Sequence, residues 1–127
     1  LINVSARNQV GTGENILICG FVVTGSGSRS LLIRAIGPTL ASFGVAGALA
    51  DPRIEVLRAG GTTAVAANDN WDDTLAATFA SVGAFPLVNG SRDAALVAPL
   101  AAGSYTVQVS GAANGTGEGL IEIYELP

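Results

Sequence analysis

Apolar residues along the chain fall in short runs separated by Gly-rich punctuation. Ser104 to Ser110 alternates cleanly: Tyr105, Val107 and Val109 point one way, Thr106, Gln108 and Ser110 the other. A period of two is the signature of a strand with one buried face. Arg53 to Arg58 and Thr63 to Ala67 flank Ala59-Gly60-Gly61-Thr62 and predict a hairpin. Asn15 to Val23 is an apolar run without alternation, which predicts a central strand buried on both faces. Thr24 to Ser28 predicts a flexible loop, and Leu31 to Ile36 another strand, stopped by Gly37-Pro38 because proline cannot donate to a ladder. Ile2 to Arg7, Ala94 to Ala98 and Leu120 to Leu126 complete the strands.

Helical signals are brief. Pro38 to Phe43 starts with a proline in the first turn, and Thr74 to Ala80 follows Asp73, a natural N-cap residue. About eight short strands with one or two helical turns, and turn signals every 8–12 residues or so, predict an all-β antiparallel sandwich, jelly-roll-like, with residues 1–127 as one domain. Its expected core is Ile16, Ile18, Phe21, Ile33, Ile54, Val56, Tyr105, Val107, Val109, Ile121 and Ile123.

Composition narrows the function. The six cations are all Arg, against 10 acidic residues, and His is absent. The commonest general base, the commonest metal ligand and the Schiff-base amine are therefore missing, and no Ser has a partner to activate it. An acidic, Lys-free chain lacks the clustered cations that nucleic acid requires. The longest apolar stretch, Ala35 to Ala50, is interrupted by Gly37-Pro38 and is shorter than the ~20 residues of a membrane span. The absence of Met reads as a processed product or an excised module, and the single Cys19 permits no internal disulfide.

Asn68-Asp69-Asn70-Trp71-Asp72-Asp73 is the densest polar cluster. Alternating Asx residues supply several oxygens from one loop, so Asn68, Asp69, Asn70, Asp72 and Asp73 are candidate calcium ligands, although EF-hand order is absent. The competing reading is Asx-turns and a helix cap, with no cofactor at all. Trp71, in the same polar loop, is a candidate sugar platform. Gly11-Thr12-Gly13 and Gly25-Ser26-Gly27 read as turns rather than phosphate loops, because neither completes G-x-G-x-x-G.

From Ala50-Asp51-Pro52-Arg53-Ile54-Glu55-Val56-Leu57 onward the chain resembles a known family. The order continues through Ala66-Ala67-Asn68-Asp69-Asn70-Trp71, Leu100-Ala101-Ala102-Gly103-Ser104-Tyr105-Thr106-Val107 and Gly119-Leu120-Ile121-Glu122-Ile123-Tyr124. This resembles the bacterial pre-peptidase C-terminal type of domain, a small β-sandwich of secreted proteins. The first 50 residues, with Asn3-Val4-Ser5-Ala6-Arg7 and Ile33-Arg34-Ala35-Ile36-Gly37-Pro38, resemble a longer form repeated in large secreted proteins of environmental bacteria. The resemblance implies an extracellular, non-catalytic structural or attachment module. It transfers no catalytic residue and leaves polysaccharide and surface protein open as partners.

Surface chemistry adds an expectation of self-assembly, into a filament or surface array. Only 16 side chains are charged (6 basic and 10 acidic). Mean hydropathy is +0.49, and no Lys is available to protect a sheet edge. The terminal strands are the expected joints, through Ile2, Val4, Ile121, Ile123 and Leu126, with copies of the chain as homopolymer or tandem-repeat partners. The alternative expectation is a carbohydrate-binding accessory module of a secreted enzyme, using Trp71.

Overall fold

The computed structural model describes residues 3–127. Six strands form an antiparallel arrangement: β1 (Asn3–Val10), β2 (Leu17–Ile36), β3 (Pro52–Arg58), β4 (Ala64–Asn68), β5 (Ala94–Gly111) and β6 (Gly117–Glu125). Their lateral order is β1-β6-β2-β5-β3-β4. Helices are short: α1 covers Pro38–Ser42 and α2 covers Ala76–Ser81.

Six strands replace the expected eight because two pairs of runs are continuous. Asn15 to Val23 and Leu31 to Ile36 both belong to β2, and Ala94 to Ala98 and Ser104 to Ser110 both belong to β5. Thr24 to Ser28, expected as a flexible loop, is a bulged part of β2, where pairing with β5 slips between Val23 and Ser28. Gly25 and Gly27 take positive φ there, of 100° and 75°.

The β2–β5 ladder is the spine, and it carries a different third strand at each end. β6 lies beside β2 over Leu31 to Ile36, and β3 lies beside β5 over Tyr105 to Gly111. The inward faces of the two wings meet in one cluster. Phe21, Val23, Ile54, Val56, Tyr105, Val107 and Val109 come from one wing, and Leu31, Ile33, Ala35, Leu96, Ile121 and Ile123 from the other. Phe21 stacks on Tyr105 with ring centroids 5.5 Å apart. Nine of the eleven expected core residues are there; Ile16 is half-buried and Ile18 is 53% exposed. Asn15 to Val23 is thus not a doubly buried strand. It has β5 on one side only, so Leu17, Cys19, Phe21 and Val23 point inward while Ile18 and Val22 face out.

The second half of β2 is the strand buried on both sides. Leu32 and Ile36 turn away from the first cluster into a second one with Leu40, Trp71, Phe79, Leu87, Ala95 and Tyr124. The short helices and the 69–93 segment therefore roof the outer face of one wing. Arg34 shares that face and is wholly buried. Its Nε donates to Glu122 Oε1 at 2.9 Å, Nη2 lies 2.7 Å from the same oxygen, and Nη1 donates to the Phe85 carbonyl at 2.7 Å. The guanidinium carbon lies 4.7 Å from the Phe79 ring centre and 4.6 Å from that of Phe85. Glycine is required at 37 for a steric reason: a Cβ there would collide with the Leu49 carbonyl oxygen.

The β5–β6 connection holds an unusual turn. Ala113 and Asn114 both have positive φ, 53° and 61°, beneath a Gly115 N–H to Ala112 carbonyl bond of 3.1 Å. This is type I′ geometry, which favours Gly or Asn at both central positions. Ala113 is exposed, so removing its methyl group takes little from the core. Ala113→Gly is expected to stabilise the fold by about 0.5–1 kcal/mol. A chemical-denaturation midpoint unchanged or lowered in that variant contradicts the reading.

Candidate functional site

The polar run at 68–73 leaves β4 and leads toward α2, and several of its side chains are tied into the fold. Asn68 Oδ1 accepts the Ala95 N–H at 3.1 Å, tying the end of β4 to the start of β5. Asp72 Oδ1 accepts the Thr74 N–H at 2.9 Å. That bond holds the Asp72 carboxyl below the ordinary carboxylate range and makes Asp72, not Asp73, the capping residue. Asp69 faces Asp51 instead of its own loop. Burial pushes the Asp51 carboxyl up, and the Asp69 carboxyl beside it pushes the same way, against Arg92 and Arg53. Among the described residues, no three His, Cys, Asp or Glu side chains are grouped to hold a metal ion. Of the five candidate ligands, Asn68, Asp69 and Asp72 thus face three different parts of the fold, while Asn70 and Asp73 are exposed.

Trp71 is not a platform. Only 8% of it is exposed, its indole N–H donates to Ser91 Oγ at 3.2 Å, and its ring lies 5.4 Å from that of Phe79. The sugar-binding alternative loses its aromatic surface, because the ring closes the second core. Under it lies a polar network that periodicity does not reveal. Asp93 is fully buried and accepts the N–H groups of Gly37 (2.8 Å) and Thr39 (3.2 Å) and the hydroxyls of Thr39 and Ser91. Its own carbonyl accepts the Trp71 N–H at 3.0 Å.

The expected assembly residues behave differently: the structure brings most of them together. Val4 faces Ile123 and Ala6 faces Ile121 in an unbroken antiparallel ladder from Asn3–Tyr124 to Val10–Gly117. Ile121 and Ile123 are fully buried in the first core, and Val4 packs half-buried against it. Leu126 joins the second core from the other side, with its N–H bonded to the Ser30 carbonyl at 2.9 Å. Ile2 lies outside the described residues.

β1 is bound mainly through its backbone. Of its eight residues only Val10 is buried, and its charged contact is an exposed ion pair, Arg7 Nε to Glu118 Oε1 at 3.4 Å. It is joined to the body by the tight Gly11–Asn15 turn. There the Gly11 N–H meets the Asn15 carbonyl at 2.8 Å, and a Cβ on Gly11 would lie 2.8 Å from that of Asn15.

Among the described residues four ladder edges are open: β1, β4, β5 before Tyr105, and β2 before Leu31. The last was missed by reading Asn15 to Val23 as central. The signal available was the Gly-rich 24–28 bulge, which separates the half of β2 covered by β6 from the half that is not. Cys19 lies on this open segment, half-buried, and burial pushes its thiol up. Among the described residues, no helix is long and apolar enough to cross a membrane.

Neither a family model nor a curated protein matches the sequence. Among solved structures, the chain is similar to the pre-peptidase C-terminal domain of a collagenase from Bacillus anthracis, with a TM-score of 0.57 and 12% identity over 96% of this chain and 89% of that one. At that identity the likeness speaks for the fold alone, and the fold is that of a pre-peptidase C-terminal domain: an all-β antiparallel sandwich.

Proposed function

We propose that this chain is a non-catalytic structural or attachment module that acts outside the cell and links copies of itself by exchanging its first strand. The observation that carries the reading is the bonding of β1. Its whole length pairs with β6, only Val10 is buried, and the tight 11–15 turn connects it to the body. A β1 that swings out and pairs with β6 of the next copy forms the same ladder, including Val4 against Ile123. Exchange of an identical element therefore costs little beyond the entropy of association. Because each copy both gives and receives a strand, the contact is head-to-tail and propagates into a filament or array. The likeness to a domain of a collagenase supports an extracellular setting, and the absence of His and Lys supports a role without catalysis.

A reversible lock tests the exchange. Arg7 and Leu120 face one another in the ladder, and facing Cα atoms sit about 4.5–5.5 Å apart, within disulfide range. Arg7→Cys/Leu120→Cys, in a Cys19→Ser background, staples β1 to its own body when oxidised. Polymers are expected from the reduced form by electron microscopy and light scattering, and none from the form oxidised as a monomer. Polymers from both forms overturn strand exchange.

A further inference from the structure

We propose that the open edge of β2, Leu17 to Val23, is a second self-association surface, on which two copies pair antiparallel about a two-fold axis near Gly20. The proposal shares with the strand-exchange reading only the premise that copies associate; it uses a different edge.

Natural sheets protect open edges with charge, proline, bulges or shortness. β1 carries Arg7 among Asn3, Asn8 and Gln9, and β4 is five residues long. The open part of β5 contains Pro99, whereas the β2 edge from Leu17 to Val23 has none of these defences, its bulge beginning only after Val23. From Asn15 to Ser28 there is no charged residue and no proline. Ile18 is 53% exposed and Val22 55%, both on the outward face. β6 covers β2 only as far as Leu31, so the main-chain groups of the preceding strand on that side have no ladder partner among the described residues. Where β6 ends, a cavity of about 250 Å³ opens, lined by Val22, Val23, Thr24, Arg29, Leu31 and Glu125.

Charge selects the occupant. The chain carries a net charge of −4, so most approaches of a second copy meet repulsion. This edge is neutral along its length and has one charge beyond each end. Glu14, exposed and without an ion pair among the described residues, precedes it, and Arg29 follows it. Arg29 uses two of its N–H donors, on the Thr24 carbonyl (3.2 Å) and Glu125 (2.7 Å), leaving others available. Antiparallel self-pairing brings Glu14 of each copy to the Arg29 end of the other. Parallel pairing sets like against like. With the axis at Gly20, Ile18 of one copy lies opposite Val22 of the other, and Ile16 reaches the cavity mouth. A Cβ at Gly20 meets nothing nearer than the Tyr105 carbonyl oxygen at 3.9 Å, so the axis is open. The dimer would join two four-stranded wings, β4-β3-β5-β2, into one sheet across the axis.

Sedimentation equilibrium is run on the wild type, on Ile18→Lys/Val22→Lys and on Val65→Lys, each in the oxidised Arg7→Cys/Leu120→Cys/Cys19→Ser background that blocks strand exchange. Val65 is exposed on β4, away from the β2 edge. The expected result is a dimer that the double-lysine variant weakens by at least about tenfold and that Val65→Lys leaves intact. Gly20→Cys in the same background is expected to give a disulfide-linked dimer. A monomer up to about 1 mM, where the affinity would be only ~4 kcal/mol, overturns the proposal. So does equal loss in the Val65→Lys variant, which would mean stacking of faces rather than pairing of edges. A locked dimer together with polymerising oxidised chains refutes strand exchange and leaves the edge pair standing. A locked monomer whose reduced form polymerises does the reverse.

Discussion

Glu122→Ala is expected to cost about 3–5 kcal/mol, a large share of the ~5–15 kcal/mol that holds a typical domain together. Glu122 is 7% exposed, and the Arg34 that it faces is not exposed at all. A guanidinium cannot give up its proton to escape burial, so removing the carboxylate leaves a permanent charge under the roof. What remains to it is the Phe85 carbonyl and the two flanking rings. Those contacts position the cation but do not neutralise it. The double variant Arg34→Met/Glu122→Leu is expected to recover most of the loss, because apolar residues of similar volume avoid the desolvation of both ions. The exposed Arg7–Glu118 pair is the internal control, and Arg7→Ala should cost below about 1 kcal/mol. Urea denaturation of the three variants gives the comparison. If Glu122→Ala costs no more than Arg7→Ala, water reaches Arg34 and the pair is not a buried one.

The same pair illustrates what was legible in the sequence. Arg34 is the one charge in the apolar run Leu31 to Ile36, and Glu122 is the one charge between Leu120 and Tyr124. Two lone charges of opposite sign in separate strands are a pairing signal. It went unread because nothing local says that strands 88 residues apart are neighbours. The alternating strand around Tyr105, Val107 and Val109 and the β3–β4 hairpin were readable, because period and turn chemistry are local properties. Asn15 to Val23 was misread for a physical reason too. A run apolar on both faces looks the same whether its second face meets a roof or solvent, and only the missing neighbour strand separates the cases. At Trp71, polar flanking residues suggested exposure. Those residues hold the backbone on either side of the ring while the ring itself turns inward.

Asp93→Ala is expected to cost about 3–5 kcal/mol and to loosen the Trp71 region first. The carboxylate is wholly buried and takes four donors, two of them the N–H groups at the start of α1. Deletion orphans those donors, at about 1–3 kcal/mol for each buried group left without a partner. It also frees Ser91 Oγ, which accepts the indole N–H of Trp71. The network joins α1 to the 88–93 segment, since Thr39 Oγ1 accepts the Val88 N–H at 3.0 Å. Asp93→Asn is expected to be intermediate. One amide oxygen still accepts from Gly37 and Thr39, while the NH₂ replaces an acceptor with a donor opposite two hydroxyls. Because Trp71 is the only tryptophan, its fluorescence reports the site directly. The Ala variant should show red-shifted emission at denaturant concentrations where far-ultraviolet circular dichroism still shows a native sheet. The Asn variant should follow at higher concentration. Emission that stays blue until the sheet itself unfolds, with an unchanged midpoint, would remove Asp93 as the link between the helical roof and the sandwich.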